Sequence, residues 1–483
     1  MKGCLIGIDL GSSAVKSVVT TTDGGIPFKT RLPLPPPFRE GLQVEHSASD
    51  ILSAVDGVLS AAVQAAMDAG LAPVGIGLSC QRSSCLVWDR DSGEALTPVL
   101  SWRDTRGLDT VEALSGEALE VHSTTGLPLT PYYSATKLRW LKENISTTAK
   151  ASAVFGTLSA FIIRHLSPVS RPAIDHTNAA RTQLMNIHTL AWDDDLIRLF
   201  GLSGVNLPEI LPTASDFGIV STAAGPVPIL ACIGDQQAAM IGQGVLEKGD
   251  AGINYGTGGF LMVNTGETLV LDNGLMASVH YSMKDRCTYL LEGSVNAVGD
   301  ALEWVRRRLG LFGDYSEVDD MCWRSATDTV VFIGLNGTGA PHWETNISSA
   351  MHGLTAESGT ADIVRGVVEG FAFFMKDIAV AVKAAGVEPG SFALSGGLSS
   401  LSYLTQIQCD ILGVNGMVVS EPEVSALGAA LLAGMRQGVW SLSDIKRITR
   451  IGEEIESEKN PGAERRYKRW KELHRTAREM DGL

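Results

Sequence analysis

Cysteine is scarce in this chain: seven in 483 residues, an odd number with no CxxC pair. That excludes a disulfide framework and fits reduced thiols in a cytosolic protein. Basic charge is also short. Lys and Arg number 39 against 54 Asp and Glu, for a formal net charge of −15, which disfavours nonspecific attraction to nucleic acid or to an anionic membrane. It leaves room for phosphate in a local pocket. Long apolar runs are missing too. The first, around Leu5, is broken by Asp9, and the run from Ala426 to Met435 is rich in Gly and Ala and far short of a span, so neither a signal peptide nor a transmembrane segment is expected. There is no GxxxxGK[ST] loop, no GxSxG elbow and no zinc-type Cys/His spacing, which sets aside P-loop, serine-hydrolase and zinc-finger chemistry. What remains is 45% hydrophobic and 19% charged, a well-buried chain too long for one core, with two large domains expected in the cytoplasm.

The stretch Ile233-Gly234-Asp235-Gln236-Gln237-Ala238 is the centre of the reading. A strand-like run, Val227 to Ile233, ends at a glycine, and a carboxylate and two amides open a run of helix formers. Asp235 therefore stands at the carboxyl end of a strand, the edge where open α/β sheets bind ligands. A helix N-cap is the bland alternative. Two hairpins raise the functional reading. Gly7-Ile8-Asp9-Leu10-Gly11-Ser12 aligns without a gap with Gly252-Ile253-Asn254-Tyr255-Gly256-Thr257, each followed by a returning strand. Such an internal match predicts two domains of like topology facing one another. Each turn offers backbone N–H groups and a hydroxyl to a phosphate.

Along the rest of the chain, 50–69 has helical apolar spacing, and 74–79 and 84–88 read as strands with Arg82 at the turn between them. Trp102-Arg103-Asp104-Thr105-Arg106 is either a surface ion pair beside a half-buried ring or part of a polyhydroxyl site. Tyr132 and Tyr133 lie at a helix entrance. His176 reads as a hydrogen-bonded core or loop histidine, and Asp193 to Asp195 as the start of a helix, where acids suit the dipole. The domain boundary is placed at 247–250. A helix is expected over 298–309, a glycine-rich loop over 335–343, a strand and Gly-Gly turn at 392–400, and a small-residue helix over 424–435. Residues from Glu453 onward read as a solvated, charged tail helix.

In order, Gln81-Arg82, Trp102-Arg103-Asp104-Thr105-Arg106, Pro131-Tyr132-Tyr133-Ser134, Thr177 to Thr182, Asn186 to Asp193, Gly234 to Ala239 and Tyr255 to Phe260 resemble the FGGY carbohydrate kinase family. The set is most similar to the glycerol kinases within it. The resemblance runs from Leu5 to about Trp440. It implies an α/β fold of two actin-like, ribonuclease-H-like ATPase domains with an interdomain cleft, divided here as residues 1–245 and 246–483. It implies ATP and Mg²⁺, a small polyol or sugar as the other substrate, no nucleic-acid partner and no membrane insertion; homo-oligomerisation is left open.

By the same resemblance, Asp235 is the general base that takes the proton of the attacking hydroxyl, and Asp9 holds the metal. Ser12, Ser13, Lys16, Gly256 and Thr257 bind phosphates, and Gly299, Gly397 and Leu398 form the adenine and ribose side. Arg82, Trp102, Tyr132, Asp235, Gln236 and Phe260 form the polyol pocket. Two positions depart from the pattern. Ser83 stands where glycerol kinases usually carry a glutamate, which removes a hydroxyl acceptor and enlarges the pocket. Lys16 stands where an arginine is usual. Phosphorylation of glycerol to glycerol 3-phosphate is therefore the first expectation. The alternatives are a kinase for a ketose or larger alditol such as xylulose or erythritol, and an actin-like ATPase without sugar transfer.

Overall fold

The computed structural model describes residues 2–168, 171–449 and 452–482. Two mixed sheets organise it. The first has the strand order Ile219–Thr222, Gly225–Gly234, Leu71–Cys80, Lys2–Leu10, Ala14–Thr21, Phe28–Pro33. The second runs Met276–Met283, Arg286–Val295, Gly259–Gly266, Asp250–Tyr255, Ser391–Ser395, Gly416–Val419, Gly452–Ile455.

The pairings repeat. In the first sheet Phe28–Pro33, Ala14–Thr21 and Lys2–Leu10 are successive antiparallel neighbours, and Leu71–Cys80 and Gly225–Gly234 add in parallel. In the second, Arg286–Val295, Gly259–Gly266 and Asp250–Tyr255 are antiparallel, and Ser391–Ser395 and Gly416–Val419 add in parallel. The match between the two hairpins is thus a match of whole-sheet topology.

Central parallel strands are buried on both faces and so need two covers. On Lys2–Leu10, Cys4, Ile6 and Ile8 face the helix Ala48–Asp68, which contributes Ile51, Val55, Val58, Leu59 and Ala62. Ala48–Asp68 is the one described helix long and apolar enough to cross a membrane. Its apolar stripe lies on this sheet instead.

The other face is covered by an element from much later in the chain. The helix Val424–Gln437 follows the strand Gly416–Val419 of the second sheet, yet its Ala426, Ala429, Ala430 and Ala433 pack with Leu5, Val18 and Ala231 of the first. The reverse also holds. The helix Asp235–Gly242 follows the first sheet, yet Met240 packs with Met262, Leu290 and Ala393 of the second. Each half gives a helix to the other. Where they cross, a Cβ on Gly428 would stand 1.8 Å from the Ala238 carbonyl oxygen, and one on Gly242 2.0 Å from that of Val424. The glycines are there because backbone meets backbone.

Two expectations are corrected. The segment from Glu453 is not a solvated tail: Gly452–Ile455 pairs as an edge strand with Gly416–Val419. The helix Pro461–Asp481 then buries Ala463, Tyr467, Trp470, His474 and Ala477. Those positions recur at helical spacing, and the abundance of Arg and Lys on the outer face hid them. The ion pair next to Trp102 is not on the surface either. Asp104 is fully buried, with Arg106 donating to it at 2.7 and 2.9 Å and to Glu45 at 2.6 Å.

Candidate active site

The strand Gly225–Gly234 ends beside Cys80, and the chain turns at once into the helix Asp235–Gly242. Gly234 is the N-cap and makes no side-chain cap bond; Asp235 is the first helical residue. The carboxylate stands inside the first turn rather than at the N-cap. Its Oδ1 accepts from the Gln236 backbone N–H at 2.9 Å and lies 3.4 Å from Arg82 Nε. Burial raises the Asp235 carboxyl above its usual range, against the pull of Arg82.

Asp9 sits at the end of Lys2–Leu10, opposite Lys16 and beside Ser79, whose hydroxyl donates to Asp9 Oδ1 at 2.7 Å. Burial, and the like charge of Asp235 after it, push Asp9 up to about 6 despite that bond. Two carboxylates at the ends of parallel strands on either side of Leu71–Cys80 thus feel each other. Lys16 is paired with Glu423 at 2.7 Å, ahead of the helix Val424–Gln437, and Ser425 Oγ donates to the Asp235 carbonyl at 3.2 Å. Both turns have the expected form. Gly11 N–H donates to Ala14 O at 3.1 Å, and Gly256 N–H to Gly258 O at 2.9 Å. Ser12 is half-buried and Ser13 exposed in the first.

Gly256, Thr257, Gly299, Gly397 and Leu398 line one cavity of about 720 Å³ together with Tyr255, Asp300, Tyr315 and Asp319. A Cβ on Gly299 would meet the Gly256 carbonyl at 2.8 Å, so the second turn and the helix Gly299–Trp304 are in backbone contact. Ser12 and Ser13 are not among the residues lining it. The structure therefore groups the expected nucleotide residues in two sets, one around Asp9 and Lys16 and one around this cavity.

On the expected polyol side, Arg82 stands beside Asp235, while Trp102 and Tyr132 present partly exposed rings, 37% and 50% accessible. Arg103 stacks 4.9 Å from the Trp102 ring centre. Phe260 is partly buried, against Met240, Met262 and Leu290. Gln236 Oε1 is a buried acceptor with no partner among the described residues, which fits a hydroxyl donor from a ligand. Ser83, at the glutamate position, is buried at φ 65°, in the left-handed region. It donates to the Arg181 carbonyl at 3.3 Å while its own carbonyl accepts from Ser134 Oγ at 3.2 Å.

Several groups escaped the sequence reading. Glu292, from the strand Arg286–Val295, accepts from both Arg82 guanidinium nitrogens at 3.3 Å and from Arg181. Burial pushes its carboxyl up, but the two guanidiniums outweigh it and hold Glu292 below the ordinary range. This triangle joins the first half to the second. Its signal was a lone charge in the apolar run Tyr289-Leu290-Leu291-Glu292. Gln237 Oε1 accepts from Arg82 at 3.4 Å, and its amide donates to the Val279 carbonyl at 3.2 Å. Lys137, fully buried on the helix Ser134–Asn144, donates to the Ser101 carbonyl at 3.0 Å and the Tyr132 carbonyl at 2.8 Å. It ties together the two loops that carry Trp102 and Tyr132, and burial pulls it down to about 8. His176 behaves as expected, bonded through Nδ1 to Ser282 Oγ at 2.8 Å and lowered by burial to about 4.

Paired sheets of one topology, two glycine turns and a carboxylate at a strand end define an α/β protein of the two-domain, actin-like ATPase class. The sequence matches the N-terminal domain of the FGGY family of carbohydrate kinases over residues 4–242 and its C-terminal domain over 251–436, and the chain belongs to that family. It is 35% identical to a glycerol kinase of Bdellovibrio bacteriovorus over 97% of this chain and 98% of the other. A glycerol kinase of Thermus brockianus is also 35% identical, over 92% of each. The crystal structure of Plasmodium falciparum glycerol kinase with ADP superposes with a TM-score of 0.92 at 28% identity, covering 99% of this chain and 98% of that one. A xylulose kinase of Rhodospirillum rubrum, 20% identical with a TM-score of 0.89, shares the fold.

Proposed function

We propose that the chain transfers the γ-phosphoryl group of ATP to a hydroxyl of a small polyol, converting glycerol to glycerol 3-phosphate. The observation that supports this most is the placement of Asp235. It opens a helix at a strand end, 3.4 Å from Arg82 and within electrostatic reach of Asp9. The likeness to glycerol kinases over nearly the whole chain adds to it.

In this reading the acceptor hydroxyl donates to Asp235 as its oxygen bonds to the γ-phosphorus. The bond from that phosphorus to the β–γ bridging oxygen breaks, the electron pair leaves on ADP, and the proton passes to the Asp235 carboxylate. A carboxylate raised by burial is a better base than an ordinary one. Asp9 would hold Mg²⁺, which when bound offsets phosphate charge; an all-oxygen donor suits that ion, and two facing carboxylates raised in the free protein suit a cation. Ser12, Ser13, Lys16, Gly256 and Thr257 bind phosphates, Lys16 exchanging Glu423 for them. Gly299, Gly397 and Leu398 take adenine and ribose. Arg82 and Gln236 bind hydroxyls while Trp102, Tyr132 and Phe260 cover the carbons. The working halves are residues 1–245 and 246–483, in the cytoplasm.

The test is ADP release with Mg²⁺, ATP and a panel of glycerol, erythritol and xylulose. Stimulation by glycerol supports the reading, while stimulation by xylulose or erythritol alone replaces the substrate. Asp235→Asn is expected to retain nucleotide binding while transfer falls by orders of magnitude. Undiminished turnover would remove Asp235 as the base.

A further inference from the structure

The sequence shows no metal-binding spacing, yet the fold gathers one cluster from three separate elements of the second half. His342 lies in the loop after Pro341, Asp377 on the long helix Thr360–Ala384, and His474 on the helix Pro461–Asp481. One donor atom from each lies within 4.8 Å of the other two. The imidazoles meet edge to face with ring centres 4.6 Å apart, and His342 Nε2 stands 3.0 Å from Asp377 Oδ2. Glu344 Oε2, 2.7 Å from His474 Nε2, adds a second carboxylate.

We propose that His342, Asp377 and His474 form a binding site for a divalent transition metal of the zinc class, with Glu344 beside it. Two imidazoles and a carboxylate are the donors such ions prefer, whereas Mg²⁺ and Ca²⁺ take oxygen ligands. Ligand atoms around tetrahedral zinc stand roughly 3.3 Å apart, from bonds of about 2.0–2.1 Å. His342 Nε2 and Asp377 Oδ2 are near that spacing already, and an ion would draw the third donor in from within 4.8 Å. His342 is only partly buried, which gives the ion a path from solvent.

The surroundings are those of an oriented ligand set. The outer oxygen of Asp377 accepts from the Tyr467 hydroxyl, and that of Glu344 is ion-paired with Arg478 Nε at 2.6 Å, so each carboxylate turns its other oxygen to a histidine. Such outer partners fix ligand direction. Lys471, 3.5 Å from Asp377, opposes a cation, but its side chain is half exposed and can turn to solvent. The site reaches the rest of the molecule through the next residue. Trp343 packs with Leu127, Tyr133 and Met276 and donates to the Gly274 carbonyl at 2.9 Å. Occupancy would pin the C-terminal helix to a loop that abuts the Tyr132–Tyr133 region.

The experiment uses the full chain, stripped with a chelator and free of Mg²⁺ and nucleotide. It is titrated with Zn²⁺ by calorimetry and with Co²⁺ by visible absorption. The expected result is one ion per chain, ligand-field bands of four-coordinate cobalt, and a thermal midpoint raised by zinc. His342→Gln, on a partly exposed residue, should weaken binding about tenfold or more and abolish the zinc-induced shift without altering the far-ultraviolet dichroism. Asp377→Asn should act likewise. No stoichiometric binding, or zinc bound as tightly by a folded His342→Gln variant, as thiol capture would give, overturns the proposal.

Discussion

At the scale of single residues, the site holds its carboxylates in a state that costs the free protein stability. Asp9 has a folded value of about 6 against an ordinary 3.8, so its ionised form is disfavoured on folding. The cost is fully present above about pH 6 and is relieved as pH falls toward 3.8, because there the folded state holds a proton that the unfolded state has released. Asp9→Asn is expected to be more stable than the parent at pH 8 by up to about 3 kcal/mol, at 1.36 kcal/mol per unit. The advantage should disappear near pH 4, and Mg²⁺-dependent transfer should be lost; urea midpoints at the two pH values check it. In the metal-free parent, Mg²⁺ affinity should fall as pH drops through about 6, where Asp9 takes up its proton; calorimetric titration at several pH values checks it. Lys137 acts at one remove. Lys137→Met deletes two bonds from a charged donor to the Ser101 and Tyr132 carbonyls, each worth about 1.5–3 kcal/mol. It should raise KM for the polyol about tenfold or more with little change in KM for ATP, which steady-state kinetics separates.

At the scale of elements, the parts read best in the sequence were those with a local cause. The repeated pattern of strand, small residues and returning strand at Gly11 and Gly256 marks the two hairpins, and Ile51, Val55 and Val58 mark a helix because their spacing follows its pitch. Asp235 was legible because a strand, a glycine and a helix start adjoin it. The parts left unread, and the tail read as solvated, share another cause. Glu292 and Lys137 look like surface charges until Arg82, Arg181 and two carbonyls arrive from elsewhere in the chain, and Trp470 is hidden among arginines. The exchange of helices was equally silent. The run Ala426 to Ala433 showed that the helix packs tightly, but not on which sheet. That contact leaves no space for a methyl group at Gly428. Gly428→Ala should therefore destabilise the protein by about 1–3 kcal/mol or more, read by urea unfolding. It should also depress transfer, because the displaced partner carries Asp235.

At the scale of the whole molecule, the Arg82–Glu292–Arg181 triangle and the exchanged helices join the halves on one side, while the cavity at Gly256 and Gly397 lies open. Ligands taken between the halves should add to their attachment. With Mg²⁺, ADP and glycerol each at a hundred times its dissociation constant, every bound ligand is expected to add about 2.7 kcal/mol to unfolding. Differential scanning calorimetry should show one transition moving upward as a unit. Two transitions responding separately would mean that the halves melt independently.

The reciprocal helices also bear on how the chain comes into being. As it leaves the ribosome, the opening sheet has Leu5, Val18 and Ala231 bare on one face, since their cover is encoded past residue 423. A nascent polypeptide that has already made Asp235 must wait for nearly two hundred further residues before that face is sealed, an interval in which a chaperone could engage it.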